Sequence, residues 1–326
     1  MGTAFARKEE LFSVSAPVGT AELLRRYRAV KRIYKACKIA FSGARGDVYN
    51  ISRPFCSGGK TYIAGRVEPR DSEISRVLFF ERESEAEYSA VRGAAIDNLQ
   101  DPCVVEIPGG IAVGGTKIRT DGGGRIAGWN TAFYRGADLW RLEEFANAPR
   151  QMKDVRFVPY RGRVLVCTRP QGGVYGPGKI GWLALDCMDE ITPENLYRAE
   201  IFEGLFRPDE WGGANELHIL KNGLCGVLGH IAHMGGDGER HYYSTAFAFD
   251  PATGGRAELK IIAERADFPP GPAKRPDLRD VLFVGGLARL PDGRAELYTG
   301  TSDAEGQFAV IDDPFAEYEA AAVVSD

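Results

Sequence analysis

The chain has 326 residues, enough for one large domain or two ordinary ones with a sizeable core. Its formal net charge of -4 and one short basic run, "RRYRAVKR" at Arg25–Arg32, exclude the broad basic footprint that nucleic-acid binding needs. No window approaches eighteen consecutive apolar residues, and "MGTAFARKEELF" turns charged before an apolar run develops. Neither a membrane span nor a signal peptide is expected, and the chain reads as cytosolic.

In chain order, residues 1–40 predict an N-terminal extension that packs on the main domain and holds a short helix. Leu23, Leu24, Tyr27, Val30 and Ile33 fall roughly in helical register there, with the basic run as the polar face. After residue 40, long 3.6-period segments are missing, which counts against an α/β fold. Short β-rich runs take over, among them "KTYIAGRV", "SRVLFFE", "CVVEI", "RFVPYRGRVLVCT", "KIGWLALD", "YYSTAFAFD", "VLFVGGLARL" and "QFAVID", punctuated by many of the 40 glycines. "IPGGIAV", "PYRGRVLV", "LKNGLCGV" and "LPDGRAEL" each place a tight Gly, Asn-Gly or Asp-Gly turn between two apolar runs, the hairpin signal. Five such units start near residues 47, 99, 153, 212 and 280 and end near 81, 138, 189, 250 and 312. This repeat predicts an all-β fold, a five-bladed β-propeller forming a single domain over residues 41–326. A two-sheet sandwich would use the same alternation.

The six cysteines, Cys37, Cys56, Cys103, Cys167, Cys187 and Cys225, form no CxxC or short-spaced pair, and several lie in apolar runs. Reduced, buried thiols are expected rather than disulfides or a zinc knuckle. The four histidines, His218, His230, His233 and His241, show no HExxH or facial-triad spacing, so no metal is expected. On a strand, His230 and His233 fall on opposite faces. No phosphate loop occurs, and no cofactor is implied.

What recurs is a polar cluster just ahead of the early strands of each unit: "GDVYNISRPF" with Asn50, "LQDPC" with Asp101, "MKDVRF" with Lys153 and Asp154, "WGGANELH" with Glu216 and His218, and "GTSDAEG" with Asp303. In a propeller these groups converge on one funnel. Carboxylates joined there by Arg66, Arg156 and Arg169 suit an uncharged, hydroxyl-rich ligand such as a sugar. Each has an ordinary alternative: Asp-Pro commonly starts a turn, and Glu68 could form a surface ion pair with Arg66 or Arg70.

The order of these motifs from about residue 47 to 312 resembles the five-bladed mannoside phosphorylases and mannosidases of glycoside hydrolase family 130. It is more similar still to an uncharacterised propeller family related to them. "DVYNIS" is similar to that family's Tyr-Asn-Pro segment, "IAGRVEPRDSEISRVLFF" to its Tyr-Arg-x-Glu strand, and "LQDPCVVEIPGGIAVGGT" to its Glu-Asp-Pro-Arg motif. "MKDVRFVPYRGRVLVCTRP" resembles the Lys-Asp…Arg-Pro segment, and "VLFVGGLARLPDGRAELYTGTSD" the closing strand pair. The resemblance implies that Asp101 is the general acid. It places Asn50, Arg66 and Glu68 at the sugar-binding end, and Asp154 and Asp303 on further hydroxyls, with an oligosaccharide or glycoside as ligand.

Three departures stand out. Cys103 replaces the Arg after Asp-Pro, Ile51 replaces the Pro after Tyr-Asn, and His230 comes one place late for Tyr-His-Gly. Lys153 and Arg169 retain the family's phosphate-binding positions, whereas one arginine is missing and the histidine is displaced. These departures favour inverting hydrolysis of a β-mannoside or related oligosaccharide, with Glu216 or Asp154 as base, over phosphorolysis. A non-catalytic carbohydrate-binding propeller is the reading from another class; a scaffold for protein partners is a third. His218, His230 and Arg156 complete the expected ligand-binding set.

Overall fold

The computed structural model describes residue 12, residues 16–236 and residues 238–321. Among these, α-helix is confined to Thr20–Val30, Pro193–Leu196 and Ala316–Ala320, and strands dominate the rest. No helix among the described residues is long and apolar enough to cross a membrane.

Apart from Ala40–Ser42, which pairs in parallel with Glu87–Asp97, the strands form five successive antiparallel units of four. Unit I has an inner strand in two pieces, Asp47–Tyr49 and Phe55–Ser57, followed by Lys60–Glu68, Arg76–Arg82 and Glu87–Asp97. Unit II runs through Leu99–Ile107, Gly110–Thr120, Ile126–Gly136 and Glu143–Asn147. Unit III comprises Arg156–Tyr160, Arg163–Thr168, Gly181–Leu185 and Glu200–Ile201. Unit IV comprises Glu210–Ile219, Cys225–Met234, Arg240–Phe249 and Lys260–Ala263. Unit V takes Asp280–Arg289, Arg294–Thr301 and Glu305–Asp312, and its fourth strand is Ile33–Lys38 from the other end of the chain. Residues 33–38, read in sequence as part of an extension, are therefore a structural strand. They cover an edge that would otherwise expose unpaired backbone groups.

The predicted hairpin turns lie where the sequence puts them. Arg161 and Gly162 both have positive φ, 48° and 79°, the backbone of a type I′ turn, whose twist matches that of the strands it joins.

Side chains on alternate faces of the strands pack between neighbouring units. Phe55, Phe79, Leu99 and Val113 fill the I/II interface, and Phe133, Phe157 and Val166 the II/III interface. Leu165, Cys167, Phe247 and Phe249 fill III/IV, and Leu228, Ala246, Leu282 and Leu297 fill IV/V. Val48, Ile63, Phe80, Tyr298 and Phe308 join V to I, so the apolar layers close into a ring. Each fully buried aromatic such as Phe80 or Phe308 contributes about 1.5–3 kcal/mol through apolar burial.

The expected N-terminal helix spans Thr20–Val30 and buries Leu23 and Tyr27 against the III/IV cluster. Val30 is 74% exposed, and Ile33 has passed into the strand. Its basic residues have protein partners: Arg26 pairs with Glu258, and Arg28 and Lys31 with Glu264. All six cysteines are free, but only Cys103, Cys167 and Cys225 are buried. Cys56 and Cys187 are exposed and Cys37 is intermediate, which corrects the expectation of buried thiols: Cys56 lies on a short strand at the rim, and Cys187 follows the end of one.

Candidate functional site

The inner strands of the five units are each interrupted or begun at a comparable point, three of them by a bulge. One extra residue interrupts the ladder between Gln100 and Cys103 in unit II, between Ala214 and Glu216 in unit IV, and between Val284 and Gly286 in unit V. In unit I the break falls after Tyr49, and in unit III just ahead of Arg156. At these points Asn50, Asp101 and Asp154 have φ of 45°, 52° and 58°, a left-handed backbone that Asn and Asp tolerate better than other side-chain-bearing residues. A bulge re-aims its side chain out of the alternating pattern. The polar residues ahead of the strands are therefore a consequence of backbone geometry as well as candidates for chemistry. Packing is close here: a Cβ added at Gly300 would overlap Asn50 Oδ1.

Units I, II and V build an acidic group. Asp101 Oδ1 accepts from Asn50 Nδ2 at 2.7 Å and from Arg66 Nη1 at 3.2 Å. Arg66 also donates to Glu68 Oε2 (2.9 Å) and Glu73 Oε2 (3.2 Å). The other Glu68 oxygen accepts from Tyr49 OH and Lys274 Nζ, and Arg275 Nη1 reaches Glu73 Oε1 at 2.7 Å. Asp303, at φ 51°, faces this group. Burial raises its pKa to about 6, Arg66 and Lys274 pull it down, and Asp101 and Glu68 push it up. Asn50, Arg66, Glu68, Asp101 and Asp303 thus come together as expected by sequence.

Units III and IV build a cationic group around Asp154. Arg169 Nε stands 3.5 Å and Arg156 Nη2 3.9 Å from its two carboxylate oxygens, neither of which has a hydrogen-bond donor among the described residues. Burial would raise Asp154, but Lys153, Arg169, His230 and Arg156 hold it below the ordinary carboxylate value. His230 Nδ1 lies 2.8 Å from Asn215 Oδ1, its ring stacks on Tyr242, and burial drives its pKa down to about 3, so it is neutral near pH 7. Asn215 Nδ2 is buried without a hydrogen-bond partner among the described residues. Gly213 makes this convergence possible: an added Cβ would lie 2.9 Å from Arg169 Cδ, 3.0 Å from His230 Cε1 and 3.1 Å from Asp154 Cβ. Lys153, Asp154, Arg156, Arg169 and His230 therefore form one cluster, despite the one-place offset of the histidine in sequence.

Glu216 and His218 share no hydrogen bond with either group, although Glu216 borders one cavity with Arg156 and Asn215. Just past the bulge, Glu216 accepts from Arg53 Nε (2.7 Å) and the Leu287 N–H (2.7 Å), and His218 Nε2 is 2.9 Å away. It lines a cavity of about 190 Å³ with Arg53, Cys103, Glu106, Arg156 and Asn215, and shares no hydrogen-bond partner with Asp101. The structure thus places Glu216 beside Arg156 and Asn215 and pairs it with Arg53 and His218, without a direct hydrogen bond to Asp101. Sequence reasoning missed Tyr49, Glu73 and Lys274. Tyr49 was visible beside Asn50, whereas Lys274 in "GPAKRPD" carries no local signal.

No group of three or more His, Cys, Asp and Glu among the described residues could hold a metal ion. A ring of antiparallel strands with paired acidic and cationic polar groups at the inner strands defines an all-β protein with a propeller-like fold. The chain belongs to the family described as "Protein of unknown function (DUF1861)", which matches residues 25–317. It is similar to MPT-4, a mannose phosphorylase from Leishmania mexicana solved with a phosphate ion, at 34% identity and TM-score 0.85, covering 94% of this chain and 96% of that one. It is similar as well to MPT-1, a GDP-Man-dependent mannosyltransferase from the same organism, at 29% identity and TM-score 0.83, covering 94% and 97%. A β-1,2-mannobiose phosphorylase from Listeria innocua, 14% identical, shares the fold at TM-score 0.61 over 97% and 98% of the two chains. The neighbours include the family-130 mannoside phosphorylases that the sequence motifs resemble. A comparison with curated protein sequences finds no match.

Proposed function

We propose that the five units are the blades of a five-bladed propeller and that the chain is a mannoside-processing enzyme. It cleaves a mannosidic bond by phosphorolysis with inversion, using Asp101 as proton donor. The observation that carries this reading is the charge at Asp154: three cations, Lys153, Arg156 and Arg169, against one carboxylate, with the buried Asn215 Nδ2 unpartnered beside them. Such a recess attracts an anion, and the similarity to a mannose phosphorylase supports phosphate.

Phosphorolysis also agrees with what the carboxylates can do. A hydrolase needs a base to activate water. Glu216 has both oxygens occupied, and Asp154, held low by its cations, is a weak base. Phosphate needs no activation. One of its oxygens attacks the anomeric carbon, the glycosidic C–O bond breaks, and Asp101 gives its proton to the leaving oxygen, then regains one from solvent. The acidic group holds sugar hydroxyls, for which carboxylates are strong acceptors. Where the motif has lost an arginine, Cys103 is buried and Arg156 faces it from unit III.

Transfer from a sugar nucleotide is a second reading, favoured by the likeness to a mannosyltransferase; the same recess would hold the diphosphate of the leaving GDP. The test is the synthetic direction: a manno-oligosaccharide acceptor with either mannose 1-phosphate or GDP-mannose. Chain extension with release of inorganic phosphate supports the first reading, and extension only from GDP-mannose the second. Extension from neither donor, with free mannose released from the oligosaccharide, would return the chain to hydrolysis. Binding without turnover would leave a carbohydrate-binding propeller.

A further inference from the structure

The connection between units IV and V does not turn directly back. The segment from Phe268 to Pro276 contains Pro269, Pro270, Pro272 and Pro276 and lies across unit V as a strap. Gln307 Nε2 donates to Pro269 O (3.3 Å), Arg265 Nη1 to Pro269 O (3.1 Å), and the Lys274 N–H to Ser302 O (3.0 Å). A Cβ at Gly271 would overlap Glu305 Oε2, so the strap lies hard against the strand beneath it. Proline fixes φ and limits the alternatives open to such a segment.

The strap delivers Lys274 into the acidic group of unit I. The Lys274 side chain is 4% exposed; its Nζ pairs with Glu68 Oε1 and lies 3.1 Å from Glu73 Oε1. Its backbone is tied to Ser302, the residue before Asp303, so one residue fixes both Glu68 and the Asp303 turn. We propose that Lys274 is a positioning residue of the sugar-binding half of the site, fixing Glu68 and supplying a cationic neighbour to Asp303 beside the proton donor Asp101.

The charge balance explains the need. Glu68, Glu73, Asp101 and Asp303 are four acids around Arg66, and of these Arg275 pairs with Glu73, at the exposed edge, while its Nε turns to Asp277. Without a second buried cation, one acid would hold its proton near neutrality and cease to be a pure acceptor. Burial has already carried Asp303 up to about 6. Facing it are Arg66 and Lys274, which favour its ionised form, and Asp101 and Glu68, which oppose it; Tyr49 closes the group. The inference rests on the proposed function only in taking Asp303 as an acceptor of sugar hydroxyls.

The test uses the full chain with Lys274→Met, which keeps the length of the side chain and removes its charge. Carboxyl ¹³C NMR, with the Asp303 signal assigned through Asp303→Asn, gives the Asp303 midpoint directly. It is expected near pH 6 in the wild type and higher by about one pH unit in Lys274→Met. The acid limb of kcat/KM for mannoside phosphorolysis should move with it, so that the loss at pH 6.5 exceeds that at pH 8.5 by about threefold. Lys274→Arg, which retains the charge, should keep the midpoint near the wild-type value and supplies the comparison if Lys274→Met does not fold. An Asp303 midpoint unmoved by Lys274→Met, or displaced as far by Lys274→Arg, overturns the proposal, as does an equal loss of activity at all pH values. If the wild type forms no mannose 1-phosphate, the functional reading fails while the carboxyl titration still decides on Lys274.

Discussion

Asp303→Asn is expected to stabilise the folded chain at neutral pH relative to acid pH, because it removes a carboxyl that burial makes costly to ionise. The side chain sits at φ 51°, which Asn adopts as readily as Asp, so the backbone conformation is retained. The pKa rises from an ordinary 3.8 to about 6, so ionising Asp303 in the folded state costs up to about 3 kcal/mol; partial exposure of the residue reduces this to about 2 kcal/mol. Between these two values the folded chain binds more protons than the unfolded one, so this group's contribution to stability falls as pH rises from about 4 to about 6 and is constant above. Urea unfolding of wild type and Asp303→Asn at pH 4 and pH 7.5 isolates the effect. Any packing or hydrogen bonding that the substitution weakens weighs equally at both pH values, and only the ionisation remains in the difference of differences. A stability gap that changes by about 2 kcal/mol in favour of the variant at pH 7.5 is the expected result. An unchanged gap, or one favouring the wild type at pH 7.5, would refute the reasoning about the acidic group.

Other perturbations probe the rest of the site. Asp101→Asn retains an oxygen that can accept from Arg66, and should lower kcat for mannoside cleavage by about 10²–10⁴-fold with little change in mannoside binding, read by steady-state kinetics and calorimetry. Gly213→Ala introduces a Cβ 2.9 Å from Arg169 Cδ and 3.0 Å from His230 Cε1. It should destabilise by about 1–3 kcal/mol in urea unfolding and raise the phosphate concentration needed for half-maximal rate. Under native conditions a thiol reagent such as DTNB should modify Cys56 and Cys187 rapidly and spare Cys103, Cys167 and Cys225 until the chain unfolds, which peptide mapping by mass spectrometry checks.

Local backbone chemistry made much of this legible. Gly162 and Gly293 announce hairpins because few other residues take their φ values of 79° and 83°, and these turns set the spacing from which the five units are read. Asp101 and Asp154 stood out for a related reason: both take a positive φ where an acid meets the strand, Asp101 at a bulge and Asp154 just ahead of its strand. Long-range geometry was not legible. Lys274 meets Glu68 across 206 residues of sequence, through a strap whose path depends on Gln307 and Ser302. Ile33–Lys38 pairs with Glu305–Asp312 because unit V lacks a fourth strand of its own, a shortfall no local pattern reveals. The surroundings of Glu216 were only partly legible, because one extra residue, Asn215, shifts which side chains share a face, and a bulge of that kind leaves no mark in "WGGANELH". His230, one place off its motif in sequence, still reaches the cluster, because the strand pairing and not the motif sets its neighbours Gly213 and Ser244.

The central claim is that phosphate takes the mannosyl group at the cationic recess while Asp101 protonates the leaving oxygen. Phosphorus-31 NMR of the wild-type chain with a β-linked manno-oligosaccharide and inorganic phosphate tests it directly. The account predicts a growing mannose 1-phosphate resonance at the expense of phosphate, absent with Asp101→Asn and strongly reduced when Arg169 is replaced by Met. Mannose released at the same rate with and without phosphate, with no phosphate ester formed, would contradict it.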